Sequence, residues 1–280
     1  MVKGSICIYE NRIFVPNVDN FLRCVDAATG EILWAFDTGS DLDSSPCVWE
    51  GSLYIAGECG YARCLDPADG REIWKTFIGG TAPGSLSGSN GSETSPAVYD
   101  GLYYTATYDG WLHCLDAKSG RRVWRVRTGD DTDASPVISG QYVIVASEQK
   151  SPYVTCFNRL TGDMLWRHGG HRGGYWATPA CAEGRVYIGC GASGGMVCLD
   201  EATGREVWTT RIPGRIWSSA CVVDGKVVFG CHDGNLYMLD AADGRILWSY
   251  QTGGRILSTP CIVDGDIHVG TATGSFHCFG

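Results

Sequence analysis

The sequence has no run of about 18 or more consecutive apolar residues and no run of more than two consecutive Lys or Arg residues. The first absence argues against a membrane-spanning helix. The second, together with a formal net charge of −9, argues against nucleic acid and anionic membrane surfaces as partners, because the average field repels a polyanion. Residues 1–20 also lack an apolar segment followed by a small-residue cleavage site, so no secretion signal is recognisable.

Helical patterning is equally scarce. No segment maintains an apolar period of about 3.6 residues, and only 19% of the residues are charged, whereas glycine occurs 39 times. This composition indicates many turns and few exposed helices. Because 44% of the residues are hydrophobic, the chain can still bury a large core. The sequence therefore predicts an all-β protein.

A short pattern built around tryptophan recurs every 40 to 50 residues. Its first copy, V-D-A-A-T-G-E-I-L-W, ends at Trp34. A second pattern, beginning S-S-P-C-V-W-E-G at Ser44, alternates with it. The tryptophans of the six copies are Trp34, Trp74, Trp124, Trp166, Trp208 and Trp248. Internal repeats of this length are typical of propellers and solenoids.

Each repeat predicts four short strands, a to d, separated by Gly, Asp and Asn turns. Such a unit cannot bury both faces alone, whereas radial packing of several units can. We therefore predict that residues 1–280 form a single seven-bladed β-propeller of four-stranded antiparallel blades. The predicted blades cover about 3–38, 44–78, 94–128, 134–170, 177–212, 218–252 and 258–280. The last has only three predicted strands: either it is short, or the chain is one module of a larger protein, which we favour.

The combined pattern LDxxTGxxxW…SSPxVxxGxVYxG resembles the repeat of PQQ-type propellers, the quinoprotein alcohol dehydrogenase-like family, and covers essentially the whole chain. That family includes quinone-dependent dehydrogenases, an outer-membrane assembly scaffold and accessory domains, so the resemblance implies a fold rather than an activity. Its dehydrogenases hold PQQ beneath a vicinal Cys-Cys disulfide. No two cysteines are adjacent here, and we expect no cofactor. The repeated tryptophans are interpreted as docking residues between blades.

Fourteen cysteines occur in the sequence, mostly on predicted strands a and c. These two strands are separated by strand b and should lie about 9–10 Å apart, which is too far for a disulfide. There is no Cys-x-x-Cys motif for zinc. We expect buried free thiols in a reducing, cytoplasmic compartment, with Cys190 and Cys231 more exposed than the others.

The residues immediately before each strand a differ between the two halves of the chain. That position holds Asp43, Glu93 and Asp133 in blades 2–4, and Trp176, Trp217 and Leu257 in blades 5–7. Two residues earlier, Asp41 and Asp131 in the first half contrast with Arg215 and Arg255 in the second. Loops that join strand d to strand a surround the central channel of a propeller, and loops on rigid scaffolds commonly bind ligands. We therefore predict a ligand-binding central funnel formed by Asp41, Asp43, Glu93, Asp131, Asp133, Trp176, Arg215, Trp217 and Arg255.

Two functions fit such a funnel. The first is a non-catalytic binding or scaffolding module that takes a small polar molecule, a peptide or a protein partner. The alternative is an enzyme that uses Asp43, Glu93 and Asp133 for acid–base chemistry or metal binding. Convergence of these carboxylates in a closed pocket would favour the enzyme.

The Gly/Ser-rich insertion Gly79–Glu93 is interpreted as a surface loop, with a mobile lid as the alternative.

Overall fold

The structure, a computed structural model, describes residues 4–79, 91–129, 131–148, 153–169, 174–192 and 194–280. Most of the insertion Gly79–Glu93 lies outside these residues. The described residues form 27 strands and no helix. The strands are β1 (Cys7–Tyr9), β2 (Arg12–Pro16), β3 (Phe21–Asp26), β4 (Ile32–Asp37), β5 (Cys47–Trp49), β6 (Ser52–Ala56), β7 (Tyr61–Leu65), β8 (Glu72–Phe77), β9 (Ala97–Tyr99), β10 (Leu102–Thr107), β11 (Trp111–Asp116), β12 (Arg122–Arg127), β13 (Val137–Ser139), β14 (Tyr142–Ala146), β15 (Tyr153–Asn158), β16 (Met164–Gly169), β17 (Ala180–Ala182), β18 (Arg185–Cys190), β19 (Gly195–Asp200), β20 (Glu206–Thr210), β21 (Cys221–Val223), β22 (Lys226–Gly230), β23 (Asn235–Asp240), β24 (Ile246–Gln251), β25 (Cys261–Val263), β26 (Asp266–Gly270) and β27 (Phe276–Phe279).

Strands that follow one another in the chain pair into seven separate sheets. Six sheets have four strands, β1–β4, β5–β8, β9–β12, β13–β16, β17–β20 and β21–β24, and the seventh has the three strands β25–β27. In every four-stranded sheet the register shifts between the third and fourth strands, directly after the residue opposite the repeat tryptophan; Cys64 opposite Trp74 is one example. This arrangement fits the seven blades that the sequence predicts.

The chain divides into two compact units. Unit 1 comprises residues 1–138 and 159–162, and unit 2 comprises residues 139–158 and 163–280. In unit 1, Tyr54, Trp74 and Tyr103 form the aromatic centre of one buried cluster. In unit 2, Tyr187 and Phe229 belong to a cluster against which Trp208 packs. Strands β6 and β7 are buried along consecutive residues, 53–56 and 62–65, as expected for a sheet that is covered on both faces.

Five of the six repeat tryptophans dock where the repeat predicts. The indole N–H donates to a main-chain carbonyl in the next c–d turn of the same unit, at Pro67, Ala117 and Arg159 in unit 1 and at Glu201 and Ala241 in unit 2, with N···O distances of 2.8–3.2 Å. The interpretation of these side chains as docking residues is confirmed. A cofactor-stacking role for them is unnecessary.

All fourteen cysteines are free thiols, as the strand assignment predicts. The expectation that Cys190 and Cys231 are exposed is wrong, because both are buried. Cys190 ends strand β18, and Cys231 directly follows β22, so each lies at the end of a strand that is mostly buried.

No helix formed by the described residues is long and apolar enough to cross a membrane.

Candidate functional site

A main-chain hydrogen bond brings the turn between strands b and c next to the loop that precedes strand a. The main-chain amide of the turn residue donates to a main-chain carbonyl in this loop. The carbonyl belongs to the residue two positions before the one that directly precedes strand a. The pairs are Glu58 to Asp41 (3.5 Å), Tyr108 to Gly91 (3.2 Å), Gly191 to Gly174 (2.9 Å), His232 to Arg215 (2.9 Å) and Ala272 to Arg255 (2.8 Å). Each of these five loops therefore has a turn residue beside it, and the sequence analysis missed these turn residues.

In unit 1, three carboxylates converge. Oxygen atoms of Asp43, Glu58 and Glu93 all lie within 4.8 Å of one another, and the three side chains are partly buried. We call these residues the acidic cluster. Carboxylates this close repel one another unless they share a proton or a cation, and an all-oxygen ligand set suits Ca²⁺ or Mg²⁺ rather than a softer metal.

Tyr108 is the neutral member next to the acidic cluster. Burial raises the pKa of its phenol well above the ordinary value, and a hydrogen bond to Glu93 and the charges of Glu93, Glu58 and Asp133 raise the pKa further. Tyr108 is therefore protonated at any physiological pH and donates to the Glu93 carboxylate. Because the charge of Asp133 contributes to the raised pKa of Tyr108, Asp133 also lies near the acidic cluster. The main-chain carbonyl of Asp41 accepts the hydrogen bond from the amide of Glu58. The carboxylates of Asp41 and Asp131 are not among the three that converge.

In unit 2, aromatic rings take the place of the carboxylates. The ring centroids of Trp176 and Trp217 are 5.5 Å apart with an interplanar angle of 43°. His232 meets Trp217 edge-on, with centroids 4.4 Å apart. We call these three residues the aromatic cluster. Trp217 nevertheless remains 37% exposed, so its orientation is fixed by two neighbouring rings while part of its surface stays in contact with solvent.

Two arginines accompany the aromatic cluster. Burial lowers the pKa of His232, and the positive charges of Arg255 and Arg215 lower the pKa further. His232 is therefore neutral at pH 7, and both guanidinium groups are near enough to act on it. Both arginines are exposed, and neither makes an ion pair with a described residue.

Sequence reasoning thus selected residues that do come together within each unit. Asp43 meets Glu93, and Trp176 meets Trp217 beside Arg215 and Arg255. That all nine candidates line one central funnel involves both units and stays a prediction. The missed residues Glu58, Tyr108 and His232 had a detectable signal, since the first residue of the b–c turn varies widely from repeat to repeat.

The repeat and its sheets define a PQQ-type β-propeller, and comparison with known proteins agrees. The family described as outer membrane protein assembly factor BamB matches residues 58–173 and 150–276. Because these matches cover more than half of the chain, the protein belongs to this family.

Two solved structures share the fold at low sequence identity. BamB from Moraxella catarrhalis superposes with a TM-score of 0.80 at 18% identity, over 99% of this chain and 85% of that one. A quinohemoprotein alcohol dehydrogenase from Pseudomonas putida superposes with a TM-score of 0.74 at 16% identity, over 95% of this chain and 62% of that one. Identities this low establish the fold alone.

One curated relative is similar over part of the chain. The beta-alanine-activating enzyme of Danio rerio is 28% identical over 112 residues, which are 38% of this chain and 10% of that protein. The match thus covers only a tenth of the length of this relative.

The PQQ site of the family's dehydrogenases does not fit these residues. None of the fourteen cysteines is adjacent to another in the sequence, and all are free, so the vicinal disulfide that covers PQQ has no counterpart.

Proposed function

We propose that the chain is a non-catalytic binding module whose binding surface is the aromatic cluster together with Arg215 and Arg255. The observation that carries this proposal is the position of Trp217, an exposed indole held by two other rings beside two arginines without ion-pair partners. An exposed tryptophan held in place loses little side-chain entropy on binding and offers a large apolar area.

The chemistry of the surface selects its ligand. A guanidinium group recognises a carboxylate through paired hydrogen bonds, and an indole face packs against apolar or aromatic groups. The ligand is therefore a peptide or protein segment with a carboxylate next to an apolar side chain, or a small molecule of that kind. Membership in a family described by an assembly factor supports a protein partner over a free metabolite.

A matched peptide panel tests the proposal. Fluorescent peptides ending in an apolar residue are prepared as C-terminal carboxylates and as amides, and binding is measured by anisotropy. We expect the carboxylate forms to bind more tightly, and the double substitution Arg215→Ala with Trp217→Ala to abolish this binding. Arg211→Ala removes an exposed arginine from the same loop and serves as the control. Equal binding of carboxylates and amides, or loss of binding in the control alone, would contradict the proposal.

A second candidate function rests on the acidic cluster. Asp43 and Glu93 do converge, as acid–base catalysis or cation binding in this region requires, and Tyr108 supplies a neutral proton donor. Joint substitution Asp43→Asn and Glu93→Gln separates the two functions. A binding module keeps its affinity for the carboxylate peptides, because neither substituted residue belongs to the aromatic cluster. An enzyme would lose turnover of its substrate while folding normally.

A further inference from the structure

The three-stranded sheet carries an unusual row of side chains. Cys261, His268 and Cys278 are direct cross-strand neighbours on β25, β26 and β27. Asp266 lies two residues before His268 on β26, so both side chains point to the same face. The sheet thus presents a carboxylate, an imidazole and two thiols side by side.

In other sheets the positions of His268 and Cys278 are buried, and the position of Asp266 holds a serine or an arginine, Ser52 or Arg185. Tyr54 and Cys64 occupy the corresponding positions of β6 and β7, and Tyr187 and Cys198 those of β18 and β19; all four are at most 2% exposed. Packing in the repeat therefore requires neither a histidine nor a carboxylate in this row.

We propose that Asp266, His268 and Cys278 form a binding site for a zinc ion. One ligand atom from each of the three side chains lies within 4.8 Å of the other two. Zinc bonds of about 2.0–2.3 Å to O, N and S ligands place those atoms roughly 3.5 Å apart around a tetrahedral ion, so small side-chain rotations complete the site. A water molecule takes the fourth position, as at zinc sites with three protein ligands.

The ligands are available and their chemistry selects the metal. None of the three side chains makes a hydrogen bond or an ion pair with a described residue. The imidazole of His268 stacks on Phe276, with ring centroids 5.9 Å apart and an interplanar angle of 21°, which limits its rotation. A set of thiolate, imidazole and carboxylate ligands favours Zn²⁺ over Ca²⁺ and Mg²⁺. The site shares no residue with the binding surface proposed above and does not depend on it.

Metal titration of the full chain tests the site. We expect one Zn²⁺ per chain by calorimetry in the presence of excess Mg²⁺. Co²⁺ should give a thiolate charge-transfer band together with the visible bands of four-coordinate cobalt. Cys278→Ser and His268→Ala should each weaken Zn²⁺ binding by at least about 100-fold, and Cys278→Ser should remove the charge-transfer band.

Cys261→Ser is the matched control, because Cys261 is an exposed thiol on the same face and next to His268. This variant should keep both the stoichiometry and the cobalt spectrum. Alkylation followed by mass spectrometry gives a second measurement, in which Zn²⁺ should slow the modification of Cys278 and leave that of Cys261 unchanged. The proposal is overturned if wild-type protein binds no Zn²⁺, or if Cys278→Ser binds it unchanged. Loss of binding in Cys261→Ser together with retention in Cys278→Ser would overturn it as well.

Discussion

The indole ring of Trp208 lies directly against Gly244, so closely that a β-carbon on this glycine would sit 2.5 Å from Cε3 of the ring. The indole nitrogen also donates to the carbonyl of Ala241 in the same turn, at 3.0 Å. The same contact occurs at Trp34 with Gly70, Trp74 with Gly120, Trp124 with Gly162 and Trp166 with Gly204. Glycine is thus required twice in this turn, for its positive φ and for the space that the indole occupies.

Alanine substitution at two equivalent glycines should separate these requirements. Gly30 and Gly244 have nearly the same φ, +76° and +74°, but a β-carbon at Gly30 would meet nothing within 4 Å. Gly30→Ala should therefore cost only the left-handed conformation, about 1–2 kcal/mol. Gly244→Ala should cost about 1–3 kcal/mol more, because the new methyl group collides with Trp208. Urea unfolding of both variants measures the difference, and equal losses would contradict the docking contact.

Replacing the docking residue Trp208 by alanine should destabilise the protein more than replacing the loop residue Trp217. Trp208→Ala removes a ring packed in the core of unit 2 and should cost about 3–5 kcal/mol. The joint substitution Trp217→Ala and Arg215→Ala changes exposed loop residues and should cost about 1 kcal/mol or less. Thermal melts beside wild type decide the matter. Equal destabilisation would make Trp217 a packing residue and remove the main support for the proposed binding surface.

The reactivity of the cysteine thiols in the folded protein should follow their burial. Under denaturing and non-reducing conditions, all fourteen cysteines should react, since all are free. In the folded protein, exposed Cys261 and Cys278 should react first. Cys114 and Cys156 should react last, because both are buried and burial raises the pKa of each thiol to about 12, leaving almost no thiolate. Finding three or more disulfides in the denatured chain would contradict the strand pairing.

Repetition explains why the sequence predicts the fold so well. Trp208 and its five counterparts recur in one register, so each copy tests the interpretation of the others. Glu58 and Tyr108 were missed for the opposite reason: each occurs in a single repeat and occupies a position that turn rules assign only to chain reversal. That Asp43 meets Glu93 depends on the backbone path of two loops, which no local pattern encodes.

Buried polar groups in one blade were equally hidden from the sequence. His113 is completely buried on β11, opposite Thr105, and neither ring nitrogen has a hydrogen-bond partner among the described residues. Thr105 in turn joins Ser92 and Thr94 in a triangle of hydroxyl groups 3.0–3.1 Å apart. In another blade, Val197 on β19 occupies the position of His113, and its partner Ile188 on β18 occupies the position of Thr105. Apolar residues therefore suffice at these two positions.

The pH dependence of stability should reveal His113. Burial, together with the positive charges of Arg122 and Arg125, lowers the pKa of its imidazole to about 3. An unfolded chain has the ordinary histidine pKa of about 6.5. Between these values the unfolded state binds more protons, so the free energy of unfolding should fall as the pH is lowered from about 6.5 towards 3, by at most about 5 kcal/mol from this residue. The substitution His113→Val introduces the residue found at the equivalent position of β19, Val197. It should make the free energy of unfolding fall less steeply with decreasing pH, by about 1 kcal/mol per pH unit. Urea unfolding of both proteins at several pH values between 4 and 7 measures the difference, and parallel curves would show that His113 is protonated in the folded protein as readily as in the unfolded chain.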